Sequence, residues 1–159
     1  MQTQKQHPRA FSFEFFPPKT PAGEEKLRAT WQELAKLKPK FFSVTFGAGG
    51  STRDRTLGTV LEIQAGGSQA APHLSCIGST RADIAAVLDL YQSKGVKHIV
   101  ALRGDLPSGA ADVGELRHAN ELVAFIRART GSHFHIEVAC YPEFHPQAKS
   151  ASEDLAHFR

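Results

Sequence analysis

The strongest constraint on the fold is a regular alternation of strand-like and helix-like segments. Predicted strands begin near residues 11, 41, 73, 98 and 136, and a helical pattern follows each of them. Repeated strand–helix–strand units pair their strands in parallel through right-handed crossovers, which makes this an α/β chain. Two architectures satisfy the pattern: an open doubly wound sheet, or the first part of a (β/α)8 barrel. In both, ligands bind at the carboxyl ends of the strands.

Local signals predict where the helices begin and which of their faces are buried. Thr20 before Pro21 is a typical helix start, and Ser51 with Asp54 and Thr80 with Asp83 resemble capping boxes. Two later helices are predicted, over about 116–129 and from about 149 onwards. Apolar residues at helical spacing predict buried stripes at Leu27, Trp31, Leu34 and Leu37, at Leu57, Val60 and Leu61, and at Ile84, Val87, Leu88 and Tyr91.

Composition excludes several classes of protein. Of the 159 residues, 41% are apolar and 22% charged, as in ordinary folded domains. No apolar run reaches the roughly 20 residues of a membrane helix, and the net charge of +3 comes without a basic run, which argues against nucleic-acid binding. Cys76 and Cys140 form no C-x-x-C motif and are expected to be reduced, strand-borne residues of a cytoplasmic protein. We expect residues 1–10 to be a flexible extension and 11–159 to be the folded part.

Polar residues in or just after strands are the candidates for chemistry. Glu14 lies in an aromatic strand, where desolvation would raise the pKa of its carboxyl towards the range of a general acid; the alternative is a solvated strand face. The segment 103–105, Arg-Gly-Asp, follows the apolar fourth strand and suits either an anionic ligand or a surface ion pair. The glycine-rich turn at 47–50 precedes a helix start and offers backbone N–H groups to an anion.

Other interpretations of the fold and of the candidate site lack support in the sequence. Pro17 and Pro18 stand where a dinucleotide-binding sheet has its G-x-G-x-x-G turn, which disfavours that doubly wound fold. There is no P-loop and no nucleophile elbow. A metal site built from His133, His135, Cys140 and His145 lacks a supporting ligand spacing, so no metal is predicted.

Five segments, taken in order, resemble the methylenetetrahydrofolate reductase family: residues 11–19, 43–56, 72–74, 98–107 and 139–146. The resemblance implies a (β/α)8 TIM barrel, of which this chain contains about the first five strands. Such barrels typically need ~250 residues, so the chain would stop inside the fifth helix.

The resemblance also implies a function. It predicts a flavin-dependent oxidoreductase that binds FAD and reduces 5,10-methylenetetrahydrofolate to 5-methyltetrahydrofolate with NADH or NADPH, as a cytoplasmic homo-oligomer. Glu14 matches the general acid of the family, and Asp105 matches its acidic residue near flavin and pterin. Positions that match the FAD contacts of the family are Thr45, His73, Arg103, Gly104, Asp105, Ala119, Tyr141, His145 and Asp154.

Two alternatives stay open at this point. The chain is a non-catalytic half-barrel that associates with itself or a partner through its inner face, or it belongs to a different barrel enzyme, such as a lyase with Glu14 as base. Binding of FAD would distinguish the reductase from the half-barrel.

Overall fold

The chain folds into alternating strands and helices around one sheet. A computed structural model describes residues 10–47, 52–105, 114–141, 143–146 and 148–158. Within them lie β1 (Ser12–Phe15), α1 (Pro21–Ala35), β2 (Phe41–Val44), α2 (Arg53–Ala65), β3 (Ala70–Ser75), α3 (Arg81–Ser93), β4 (His98–Leu102), α4 (Ala119–Thr130), β5 (His135–Val138) and α5 (Ala151–Phe158). All four strand pairings are parallel. The predicted α/β class with five parallel strands is therefore confirmed.

The order of the strands distinguishes the two predicted architectures. Each strand pairs with the next one along the chain, in the order β1-β2-β3-β4-β5. A doubly wound sheet reverses direction part-way, because its helices cover both faces. Here the order does not reverse, and successive right-handed crossovers place the helices on one side. This is the winding of a TIM-like barrel, although closure of a full barrel stays a prediction.

The face of the sheet opposite the helices is strongly concave. Glu14 of β1 reaches His73 of β3, with 3.2 Å between Oε2 and Nε2, although β2 lies between them. Likewise, the ring of Phe41 on β2 lies 4.4 Å, centroid to centroid, from that of His98 on β4. Contacts between alternate strands are typical of a barrel interior, whose side-chain layers come from every second strand.

The hydrophobic core lies between the convex face of the sheet and the helices. Strand residues such as Val44, Leu74 and Ile99 pack there against buried helix residues that include Trp31 and Tyr91. The predicted stripe of α3 is confirmed in full, since all four of its residues are buried. Leu37 is 60% exposed, contrary to the prediction, because α1 ends at Ala35 and Leu37 lies in the turn between α1 and β2.

Two helix starts follow the predicted capping chemistry. Thr20 Oγ1 accepts a hydrogen bond from the backbone N–H of Gly23, and Thr80 with Asp83 forms a complete capping box. Ser51 lies outside the described residues, and α2 has Thr52 at its N-cap position. The helix predicted from residue 116 begins only at Ala119, where His118 is the N-cap.

The third strand begins earlier than predicted and includes a proline. The sequence predicts a start near residue 73, directly after Pro72, yet β3 starts at Ala70. Proline lacks an N–H and is rare inside central strands. Pro72 is tolerated because it is the last residue of β3 that pairs with β2, and pairing with β4 starts at His73. The N–H donor that Pro72 lacks is therefore missing at the point where β3 changes its pairing partner from β2 to β4.

Candidate functional site

The candidate site is a cavity of about 620 Å³ on the concave face of the sheet. Parallel strands bring their carboxyl ends to one edge, and ligands of α/β proteins bind there. Five of the predicted site residues line this cavity: Glu14, Thr45, His73, Gly104 and Asp105. The tertiary structure therefore brings residues from four separate strand ends into one place.

Glu14 lies on the concave face, as its alternation with the core-facing Phe13 and Phe15 requires. Its side chain is 55% exposed. The sequence predicted that aromatic side chains would bury Glu14, but the described residues do not bury it. The reason is geometric, because the phenylalanines on either side of Glu14 point into the opposite, helix-covered layer. Phe16, two residues further on, shares its face but is itself 79% exposed.

His73 is the buried partner of Glu14. Its Nε2 lies 3.2 Å from Glu14 Oε2, but the direction is wrong for a hydrogen bond, and Nε2 is buried with no such partner among the described residues. Burial lowers the pKa of His73, and the negative charge of Glu14 opposes this effect only in part. The cavity wall therefore contains a neutral, buried imidazole next to the exposed carboxyl group of Glu14.

The loop after β4 places a backbone turn and a carboxylate beside the cavity. Gly104 has a φ of +82°, and a Cβ at this position would lie 2.8 Å from Ser75 Cβ. Only glycine fits both the left-handed backbone and this close approach. Arg103 Nε donates a hydrogen bond to the carbonyl of Gly104, and the side chain of Asp105 is exposed at the cavity wall.

The loop after β2 is tied to the start of α2 by threonines. Thr56 Oγ1 donates to the carbonyl of Thr45 at 2.8 Å, and Gly47 N donates to Thr52 Oγ1 at 2.7 Å. These bonds hold Thr45 at the cavity wall. Residues 48–51, the centre of the predicted anion-binding turn, lie outside the described residues.

A second cluster forms after β5. The rings of Tyr141 and His145 lie 4.8 Å apart, edge to face, and the backbone N–H of His145 donates to Asp154 Oδ2 at 2.9 Å. This places three of the predicted FAD contacts side by side, although they do not line the cavity. Ala119, the first residue of α4, and the Arg103 side chain are not part of the cavity lining either.

The cavity lining also contains polar residues that are not among the predicted site residues. Ser43, Ser75 and Glu137 line the same cavity. Ser43 and Ser75 alternate with core-facing neighbours in their strands, so the period-2 pattern is the signal that could identify them. Glu137 follows Ile136, which packs against the core, but precedes the exposed Val138, so its alternation is a weaker signal.

Comparison with known proteins supports an assignment to a family. The family model described as "Methylenetetrahydrofolate reductase" matches residues 1–159. The chain belongs to the methylenetetrahydrofolate reductase family. This confirms the resemblance that the sequence motifs predicted.

Members of this family from bacteria and plants align with nearly the whole chain. The 5,10-methylenetetrahydrofolate reductase of Salmonella typhimurium is 45% identical over 149 residues, which are 93% of this chain and 49% of the relative. The Escherichia coli protein of the same name is 44% identical with the same coverage. An Arabidopsis thaliana protein named "Methylenetetrahydrofolate reductase (NADH) 1" is 40% identical over 164 residues, covering 94% of this chain and 28% of the relative. The chain thus spans about half the length of its bacterial relatives. No helix in the described residues is both long and apolar enough to cross a membrane.

Proposed function

We propose that this chain supplies the amino-terminal part of the active site of a flavin-dependent reductase that converts 5,10-methylenetetrahydrofolate to 5-methyltetrahydrofolate with NADH or NADPH. The observation that carries the proposal is the convergence of Glu14, His73, Gly104 and Asp105 on one cavity. These residues come from four separate segments, and each matches a functional position of the family. The names of the relatives support the substrate and, for the Arabidopsis protein, the nicotinamide nucleotide.

The residues of the cavity fit a flavin. The buried Nε2 of His73 has no hydrogen-bond partner among the described residues, and the carbonyl- and N–H-rich ring of a flavin would supply one. Gly104 lets the loop after β4 pack closely against Ser75 and Ile77 at the carboxyl end of β3, and so places its backbone at the cavity wall. By the resemblance, the residues that would hold FAD are Thr45, His73, Arg103, Gly104, Asp105, Ala119, Tyr141, His145 and Asp154, of which Thr45, His73, Gly104 and Asp105 line the cavity. When bound, FAD would supply hydride transfer between the nicotinamide nucleotide and the folate.

Glu14 is the proposed general acid. Its carboxyl group extends from β1 into the cavity, where an imidazolidine nitrogen of the folate would take its proton as the ring opens to an iminium cation. The neutral imidazole of His73 lies 3.2 Å from this carboxyl group. The carboxylate of Asp105 faces the same cavity and would stabilise the positive charge on the folate.

The test separates the two half-reactions. We would fuse this chain to the part of the Escherichia coli relative that it does not cover, and compare Glu14→Gln with the unchanged fusion. Glu14→Gln should reduce turnover with the folate by at least ~100-fold, the usual contribution of a general acid. The rate at which NADH bleaches the flavin absorbance should stay within about threefold of that of the unchanged fusion, because that step needs no proton from Glu14.

A matched control is Glu33→Gln, since Glu33 pairs with Lys36 on the outer surface of α1. It should leave both half-reactions unchanged. If folate turnover survives Glu14→Gln, the assignment of the general acid is wrong. If the fusion binds no FAD at all, the reductase proposal fails and the non-catalytic half-barrel is favoured.

A further inference from the structure

Three side chains suited to binding a metal converge at the amino-terminal ends of β4 and β5. His98 and His135 are the first residues of these strands and are paired in register. Glu137 follows His135 by two residues and therefore lies on the same face of the sheet. One potential ligand atom from each residue lies within 4.8 Å of the others. The two histidines are at the opposite strand ends from Thr45, Gly104 and Asp105, and the proposed reduction gives this cluster no role.

The distances in the cluster match the coordination shell of a small divalent cation. Glu137 Oε1 lies 3.4 Å from His98 Nε2 and 3.1 Å from His135 Nε2. A tetrahedral zinc ion has ligand bonds of about 2.0–2.1 Å, so its ligand atoms are separated by about 3.3 Å. Two of the three separations therefore lie near the spacing that such an ion requires, and the third is within 4.8 Å.

His98 provides an independent sign that a ligand is needed. Its side chain is only 8% exposed, and its Nε2 is buried without a hydrogen-bond partner in the described residues. The oxygen of Glu137 is near but lies outside the direction of a hydrogen bond. Buried polar atoms are nearly always paired, and an unpaired one destabilises the fold. The ring of Phe41 packs against the imidazole and fixes its position.

We propose that His98, His135 and Glu137 bind one divalent transition-metal ion, with Zn²⁺ as the principal candidate and water at the fourth position. Two imidazoles and one carboxylate favour zinc over magnesium or calcium, which prefer oxygen ligands. The ion would tie β5 to β4 and so stabilise the edge of the described sheet. This set shares only His135 with the combination of His133, His135, Cys140 and His145 in the sequence, and His133 itself lies 3.3 Å from Lys97 Nζ.

The test measures metal binding directly and does not depend on the reductase proposal. The metal-free 159-residue chain is titrated with Zn²⁺ by calorimetry, and with Co²⁺ while its visible absorption is recorded. We expect one saturable site, with the Co²⁺ spectrum of a four-coordinate complex. His135→Gln and Glu137→Gln should each weaken binding at least about tenfold, since even residues that only support metal ligands contribute that much.

The controls separate a built site from binding by scattered histidines. His135 is 60% exposed and Glu137 34%, so their variants should keep the fold, which circular dichroism verifies; His98 is not varied because it is buried. His133→Gln and Cys140→Ser should retain the affinity of the unchanged chain. The proposal is overturned if binding is not saturable, if it survives both His135→Gln and Glu137→Gln, or if His133→Gln weakens it equally.

Discussion

At the scale of single residues, the contrast between buried and exposed groups determines reactivity. Cys76 is fully buried just after β3, whereas Cys140 is exposed just after β5. Both are free thiols, as the spacing predicted, but neither lies within a strand. Burial raises the pKa of the Cys76 thiol to about 11, with smaller contributions from neighbouring groups. Since the thiolate is the reactive form, the two cysteines should behave very differently.

We therefore predict that Ellman's reagent modifies one thiol quickly at pH 8 and the second only after unfolding. Cys140→Ser should remove the fast phase, and Cys76→Ser should leave it unchanged. Two fast equivalents in the native chain would contradict the burial of Cys76.

His73 gives a prediction about pH. Its pKa in the folded chain lies below the ordinary value of 6.5 because the imidazole is buried. Between these two values the unfolded chain binds more protons than the folded one, so the free energy of unfolding falls as the pH falls. The stabilisation that the neutral, buried His73 provides is fully present above pH 6.5. It is lost as the pH falls through the pKa of His73 in the folded chain. His73→Gln should flatten this part of the profile.

The measurement is urea unfolding between pH 7.5 and 5, followed by the fluorescence of the buried Trp31. Trp31 is the one tryptophan of the sequence, so the signal reports a defined position. His157→Gln, on the exposed surface of α5, is the control and should keep the slope of the unchanged chain. An identical slope in His73→Gln would contradict the prediction.

At the scale of elements, helix starts were predictable because capping is a local interaction. The Thr80–Asp83 box needs only residues three apart, and the structure contains both of its hydrogen bonds. The helix predicted from residue 116 began three residues late because the chain from Gly114 onwards is held by non-local contacts. Glu115 N donates to the carbonyl of Ser79, and its carboxylate accepts from Arg81 N. These contacts are between segments far apart in sequence, which periodicity does not detect.

The capping box leads to a prediction about stability. Thr80→Ala removes the oxygen that accepts from Asp83 N at 3.1 Å, and should lower the free energy of unfolding by about 1 kcal/mol. Thr80→Ser keeps an oxygen in place and should lower the free energy of unfolding by only a few tenths of a kcal/mol. Urea titration of both variants measures the difference. Equal loss in the two variants would mean that the methyl group, not the cap, is responsible.

At the scale of the whole molecule, the concave face is the principal feature. Phe16 and Val138 both line its cavity and are 79% and 41% exposed. Large apolar residues grouped on one face mark a surface that is normally covered. The chain spans about half of its bacterial relatives, so the remaining strands of a barrel are the expected cover.

We predict that the 159-residue chain on its own binds an apolar dye such as ANS and associates with itself through this face. Phe16→Ser should reduce both effects. Leu37→Ser, which removes another large apolar side chain that is 60% exposed but is not part of the cavity lining, should not. Light scattering and dye fluorescence measure the two effects, and an equal response of the two variants would show that the concave face is not responsible.

The sequence by itself determined the alternation of strands and helices, the caps of α1 and α3, the buried stripe of α3 and the family. These follow from spacing along the chain or from motifs several residues long. Only the tertiary structure decided that Glu14 is exposed beside a buried His73, that Glu137 shares their cavity, and that His98 meets His135. The reason is that strand curvature and register place residues on alternate strands in contact, and neither quantity is encoded in any short segment.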